Sequence, residues 1–133
     1  MPLQKPRTVV DANVILRFLL KDNEQLYGIA EDFFESVLKG RRFAYIPEAV
    51  IAEVVYVLEK LYKVNRSDIS DTLGELLQVK YVKTCKKDTL MKALNIYSSN
   101  KIDFVDCLIC AYGEDYEVIS FDKDVSKCLD LST

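Results

Sequence analysis

Residues 7–20 read RTVVDANVILRFLL, and this stretch decides the fold. Arg7 to Asp11 is a short run rich in β-branched residues, whose stiff side chains suit a pleated strand. From about Asn13 to Leu20 the apolar residues switch to helical spacing. A strand therefore passes through a tight turn into a helix, and Asp11 stands at the junction.

Outward from that unit the alternation repeats. A helical pattern covers Glu24 to about Lys39. An extended stretch, Arg42 to Ile46, stops at Pro47, which suits the first turn of a helix running to about Lys63. Ser67 to Leu77 is amphipathic with Ser67 as a candidate cap, and Lys80 to Thr84 (KYVKT) is a third strand. Helices follow near Asp88 to Ser98 and from Phe104 to Tyr112, then a strand at Glu117 to Phe121 (EVISF). This order predicts an α/β fold, three layers of α/β/α around a mostly parallel sheet. The 133 residues, half of them apolar and without low-complexity stretches, suit a single domain spanning 1–133, with Met1 to Lys5 as a loose leader.

No apolar run approaches the roughly 18 residues of a membrane span, and the N-terminus lacks the apolar core of a signal peptide. A cytoplasmic protein without membrane contact is expected, with Cys85, Cys107, Cys110 and Cys128 as reduced thiols. Cys107 and Cys110 form a C-x-x-C pair, but inside an apolar helical run where small buried side chains are the simpler reading than zinc. The chain has no histidine, so Ser-His-Asp and Cys-His mechanisms and zinc–histidine hydrolysis are excluded. Carboxylates or lysines must carry any chemistry.

In parallel sheets the ligand crevice lies beyond the carboxyl ends of the strands, which singles out Asp11 and Asp122. Glu53 is the only charge in AVIAEVVYVL (49–58), and a carboxylate on an apolar face must neutralise, find a cation or bind a metal. Asp106 is likewise the only charge in FVDCLICAY (104–112). Asp103 has a simpler reading as the cap of that helix, and Asp122 and Asp124 as cap and first-turn acid of the last one. Carboxylates crowded together repel, and divalent cations would neutralise them; oxygen-only ligands select Mg²⁺ or Mn²⁺ over zinc.

Four segments in order, VVDANVIL (9–16), PEAVIAEVVYVL (47–58), DFVDCLICAY (103–112) and VISFDKDV (118–125), resemble the PIN-domain ribonucleases, and among them the VapC-type toxin nucleases. The resemblance implies that Asp11, Glu53, Asp106 and Asp122 hold the metal. It assigns Asn13 and Ser120 the task of orienting these carboxylates, with Asp103 and Asp124 in support. Ala12 and Ser120 stand where the family often has Thr, Cys107 where it often has Ala, and the ending LDLST leaves little room for a last edge strand.

Together these features imply a metal-dependent endoribonuclease that hydrolyses RNA phosphodiesters at a carboxylate site, the toxin of a toxin–antitoxin pair. The formal charge of −3 becomes +1 once the four proposed ligands are set aside, and Arg17, Lys21, Lys60, Lys63 and Arg66 are candidates for guiding RNA. A homodimer is expected, because the helices Gln25 to Lys39 and Ala49 to Lys63 carry ample apolar surface, including Phe33, Phe34, Tyr56 and Tyr62. An antitoxin protein would place a basic side chain in the acidic site. Two alternatives are a catalytically silent PIN-like domain binding RNA or protein, and a haloacid-dehalogenase-type phosphatase. The latter wants D-x-D after the first strand, where this chain has Asp11-Ala12-Asn13.

Overall fold

The computed structural model describes residues 5–131, so of the loose leader expected over Met1 to Lys5 only Lys5 falls within them. The chain divides into two compact units.

The first, Met1–Val54 with Glu75–Cys85, is built on three parallel strands, β1 (Arg7–Val9), β2 (Phe43–Tyr45) and β3 (Val82–Lys83), in that order across the sheet. Arg7 pairs with Phe43, and Val9 with Tyr45, which in turn pairs with Lys83. The ladder extends past the strands, with the Val10 amide donating to the Tyr45 carbonyl and the Ile46 amide to that of Lys83, both at 2.9 Å. Parallel neighbours require a long crossover. Here it is α1 (Ala12–Leu20) and α2 (Glu24–Leu38), which meet through Phe18 against Tyr27 and Phe34. Asp11 caps α1, its carboxylate accepting from the Val14 amide at 3.1 Å, and Asn23 does the same for α2 through Leu26. Lys21 supplies the left-handed residue that ends α1. Helix α3 (Glu48–Tyr56) begins here, with the Pro47 carbonyl accepting from Val50 and Ile51.

The second unit, Val55–Gly74 with Lys86–Thr133, is helical. A π-helical turn, Val57–Leu61, continues α3, and α4 (Arg66–Gln78), α5 (Lys87–Ser99), α6 (Phe104–Tyr112) and α7 (Lys123–Leu131) follow. Asn65, not the expected Ser67, caps α4: its side-chain oxygen accepts from the Asp68 amide at 2.8 Å, and its amide nitrogen donates to the Asp68 carboxylate at 3.0 Å. The reciprocal pair satisfies one orphan amide of the first turn and leaves Ser67 inside the helix.

At the centre of this unit lies Tyr97, fully buried, its ring edge-on to Phe104 and its hydroxyl donating to Glu59 Oε1 at 2.5 Å. The Arg66 guanidinium sits 4.3 Å from that ring, pairs with Glu59 at 3.3 Å, and donates to the carbonyls of Asn100 (2.7 Å) and Ile102 (2.5 Å). The same side chain reaches the Tyr97 carbonyl at 3.4 Å, one of those that α5 leaves open at its end, so it ties the helix end to the loop that follows.

Two further sequence expectations are corrected. The strand predicted over Glu117 to Phe121 has no regular structure, and Ile119 and Phe121 are 91% and 100% exposed. A β-prone run becomes a strand only where a neighbour takes its hydrogen bonds. The thiols at Cys110 and Cys128, expected reduced, form a disulfide joining α6 to α7, with Cα atoms 6.1 Å apart. Cys107 and Cys85 are free, and the buried Cys107 thiol is pushed up to about 12 by desolvation. No helix among the described residues is long and apolar enough to cross a membrane.

Candidate metal centre

Helix α6 follows Asp103, whose extended backbone occupies the N-cap position but whose side chain makes no capping hydrogen bond, contrary to the simple capping reading. One turn on is Asp106, half-buried beside Cys107 and Leu108 in the core. Burial, and then the charges of Asp122, Asp103 and Asp124, raise its pKa above the ordinary carboxylate value.

Asp122 caps α7, Oδ1 accepting from the Asp124 amide at 2.8 Å and the Val125 amide at 3.4 Å. Ser120 accepts from the Asp122 amide at 3.0 Å, so this serine fixes the Asp122 backbone rather than its carboxylate. Side-chain oxygens of Asp106, Asp122 and Asp124 all lie within 4.8 Å of one another. Three carboxylates at that spacing, one of them raised by the others, form an oxygen-only donor set that suits Mg²⁺ or Mn²⁺. Asp124, expected only in support, joins the cluster because its place two residues after the cap puts it on the first turn of α7. The i, i+2 acids in FDKD are the sequence signal for it.

Asp11 and Glu53 belong to the first unit. Asp11 is exposed at the mouth of α1, its carboxylate engaged by the Val14 amide. Glu53 is exposed as well, and the expected burial of its carboxylate is corrected. The buried stripe of α3 is Ile51, Val54 and Val55, and Glu53 falls on the other side of the helix, flanked by the half-buried Val50 and Val57. Asn13, also exposed, lines a cleft of the same unit together with Val9, Val14, Leu26, Ile29 and Phe33.

Of the cations considered for guiding RNA, Arg17 is paired with Asp22 at 2.9 Å, and Arg66 is committed to the carbonyls and to Glu59. Lys60 lies 3.8 Å from Glu59, while Lys21 and Lys63 are exposed, each in a left-handed backbone conformation.

Comparison of whole sequences finds that the PIN domain matches residues 8–128. The chain belongs to the PIN-domain family. All four acidic segments of this PIN domain fall inside the matched region. It is similar to a VapC ribonuclease of Aquifex aeolicus (strain VF5), 32% identical over 122 residues that cover 90% of each chain. No solved structure gives a significant match.

Proposed function

We propose that this PIN domain is a metal-dependent endoribonuclease and the toxin of a toxin–antitoxin pair. The observation that carries the reading is the convergence of Asp106, Asp122 and Asp124, oxygens within 4.8 Å, in a chain similar to a VapC ribonuclease. Bound Mg²⁺ or Mn²⁺ would supply a hydroxide-like nucleophile at neutral pH and neutralise charge on the leaving oxygen. Asp106 and Asp122 act as ligands, Asp122 pre-set by the Ser120 hydroxyl and the first-turn amides of α7. Asp124 contributes a further carboxylate, and Asp103 adds negative charge that draws the cation in. Asp11 and Glu53 are assigned ligand roles, and Asn13 an orienting one, on the motif resemblance. With no histidine in the chain, the groups available to move a proton at this site are the carboxylates.

RNA cleavage is expected in Mg²⁺ or Mn²⁺ and not in EDTA. Asp106→Asn and Asp11→Asn should each lower it at least a hundredfold while the far-UV spectrum persists, since both changes are nearly isosteric. Cleavage that survives exhaustive chelation, or an Asp106→Asn chain that cuts at the wild-type rate, overturns the reading. The toxin role implies a cytoplasmic protein and an antitoxin that seats a basic side chain in the acidic cluster and an amphipathic segment in the apolar cleft between α1 and α2. Adding the protein encoded beside this gene to the cleavage assay should suppress it. A neighbour that binds without inhibiting would leave RNA processing as the role.

A further inference from the structure

Net charge of −3 conceals a strong segregation. Stretches 5–10, 39–46 and 80–87, the strands with their flanks, hold nine of the eighteen Lys and Arg residues and no Asp or Glu. Side chains two apart on a strand share a face, and parallel register sets paired residues side by side. Arg7, Phe43 and Tyr81 therefore form one row across the sheet, and Val9, Tyr45 and Lys83 the next. The opposite face carries the buried Ala44 and Val82. Val9 is 68% exposed, Tyr45 37%, and Arg7 and Lys83 are exposed too.

The aromatic rings of this face are set among cations. Phe43 and Tyr81 have centroids 5.5 Å apart. Lys5 Nζ stands 4.1 Å from the Tyr81 ring and 5.7 Å from that of Phe43, while Lys83 reaches Phe43 at 5.7 Å and Lys80 reaches Tyr81 at 5.4 Å. A hydrogen bond and the charge of Lys5, with Lys80 adding to them, lower the Tyr81 pKa below its ordinary value. Between Arg7, Phe43, Tyr45 and Lys83 lies an open, apolar-walled depression.

We propose that this sheet face binds single-stranded RNA, bases stacking on Tyr45 and Phe43 while Arg7, Lys5 and Lys83 take the phosphates. Rings interleaved with cations match the two demands of a flexible polyanion that carries a π-face on every residue. A strand free of all acid repels no phosphate. The rows end at Val9 and Tyr45, and Asp11 follows Val9 by two residues, so RNA held here runs toward a predicted ligand. The inference rests on the nuclease reading for its choice of RNA, and names the surface that would hold the substrate away from the cut.

The test measures fluorescence anisotropy of a short unstructured RNA with the full chain in EDTA, where no cleavage occurs. Arg7→Glu with Lys83→Glu should weaken binding at least tenfold and flatten the salt dependence by about 0.7 in log–log slope for each phosphate no longer neutralised. Tyr45→Ala, at an exposed site, should weaken it about tenfold, as expected when one base has no ring to stack on. Lys101→Glu with Lys127→Glu, exposed cations elsewhere, should change it less than threefold. The inference is overturned if the two charge reversals weaken binding equally, or if Tyr45→Ala binds as wild type. Wild-type chain that binds RNA through this face yet never cuts it in Mg²⁺ sinks the nuclease reading alone. Face variants that bind and cut like wild type sink this inference alone.

Discussion

Tyr97 is fully buried, yet its hydroxyl meets a carboxylate, and the pairing ties two pKa shifts together. Burial, then the bond to Glu59, pushes the Tyr97 phenol well above its ordinary value. Burial pushes Glu59 up as well, but the Tyr97 hydroxyl and the charges of Arg66 and Lys60 outweigh it and hold the carboxylate below its usual range. A carboxyl whose folded pKa is depressed contributes stability that is present above its unfolded pKa and is lost as pH falls through the folded one. The melting temperature of Glu59→Gln should therefore lie below wild type at neutral pH, and the gap should close in acid as Glu59 itself protonates. Tyr97→Phe, which strips a hydrogen bond from a half-buried charge, should cost about 1–3 kcal/mol at neutral pH. Melting curves across the acid range check both; a gap for Glu59→Gln that stays constant with pH would discard the account. Residues of this kind were legible in the sequence as identities but not as partners. Asp122 could be placed because it opens a helix, which it caps, although the strand expected before it does not form. The exposure of Glu53 is not legible, because α3 is apolar on nearly every side and one charge among valines does not reveal which face is buried.

Helix starts are settled by which oxygen reaches which amide, a matter of a single residue that composition leaves open. Asn65 and Ser67 are both capping types, and a helical pattern read from Ser67 points to the serine alone. In the structure Asn65 takes the Asp68 amide, so Asn65→Ala should lower stability by about 1 kcal/mol while Ser67→Ala stays within about 0.5 kcal/mol. Equal losses measured by urea unfolding would contradict the assignment. Most elements were legible for the opposite reason: a β-branched run followed by helical spacing is a signal spread over many positions, and β1, α1, α2, β2, α5 and α6 all form where it predicts them. Residues 117–121 escaped because pairing with a neighbouring strand is a tertiary event that local preference cannot supply. The Cys110–Cys128 bond escaped for a similar reason, since sequence alone does not bring two cysteines 18 positions apart to bonding distance.

At the scale of the whole chain, large apolar side chains remain uncovered: Ile29, Leu38, Tyr56 and Leu61 are each more than 60% exposed. All lie on α2, or on α3 and its π-helical extension, the segments that the sequence marked for pairing. Isolated exposed leucines are ordinary, but two such side chains on α2 of the first unit, and two more on the turn of helix at 56–61 of the second, are what association of two copies would cover. Sedimentation should give a dimer at micromolar concentration, and Ile29→Lys with Tyr56→Lys should shift it toward monomer; a wild-type chain that stays monomeric at high micromolar concentration removes the proposal. The disulfide bears on a different property of the molecule. It closes a covalent ring from Cys110 to Cys128, and inside that ring run residues 117–122, without regular structure and with Phe121 wholly exposed. A protease that cuts after aromatic residues finds its best substrate there. The nicked chain would keep both fragments joined and migrate as one species under denaturing electrophoresis, falling apart into two bands only when the gel sample contains a reductant.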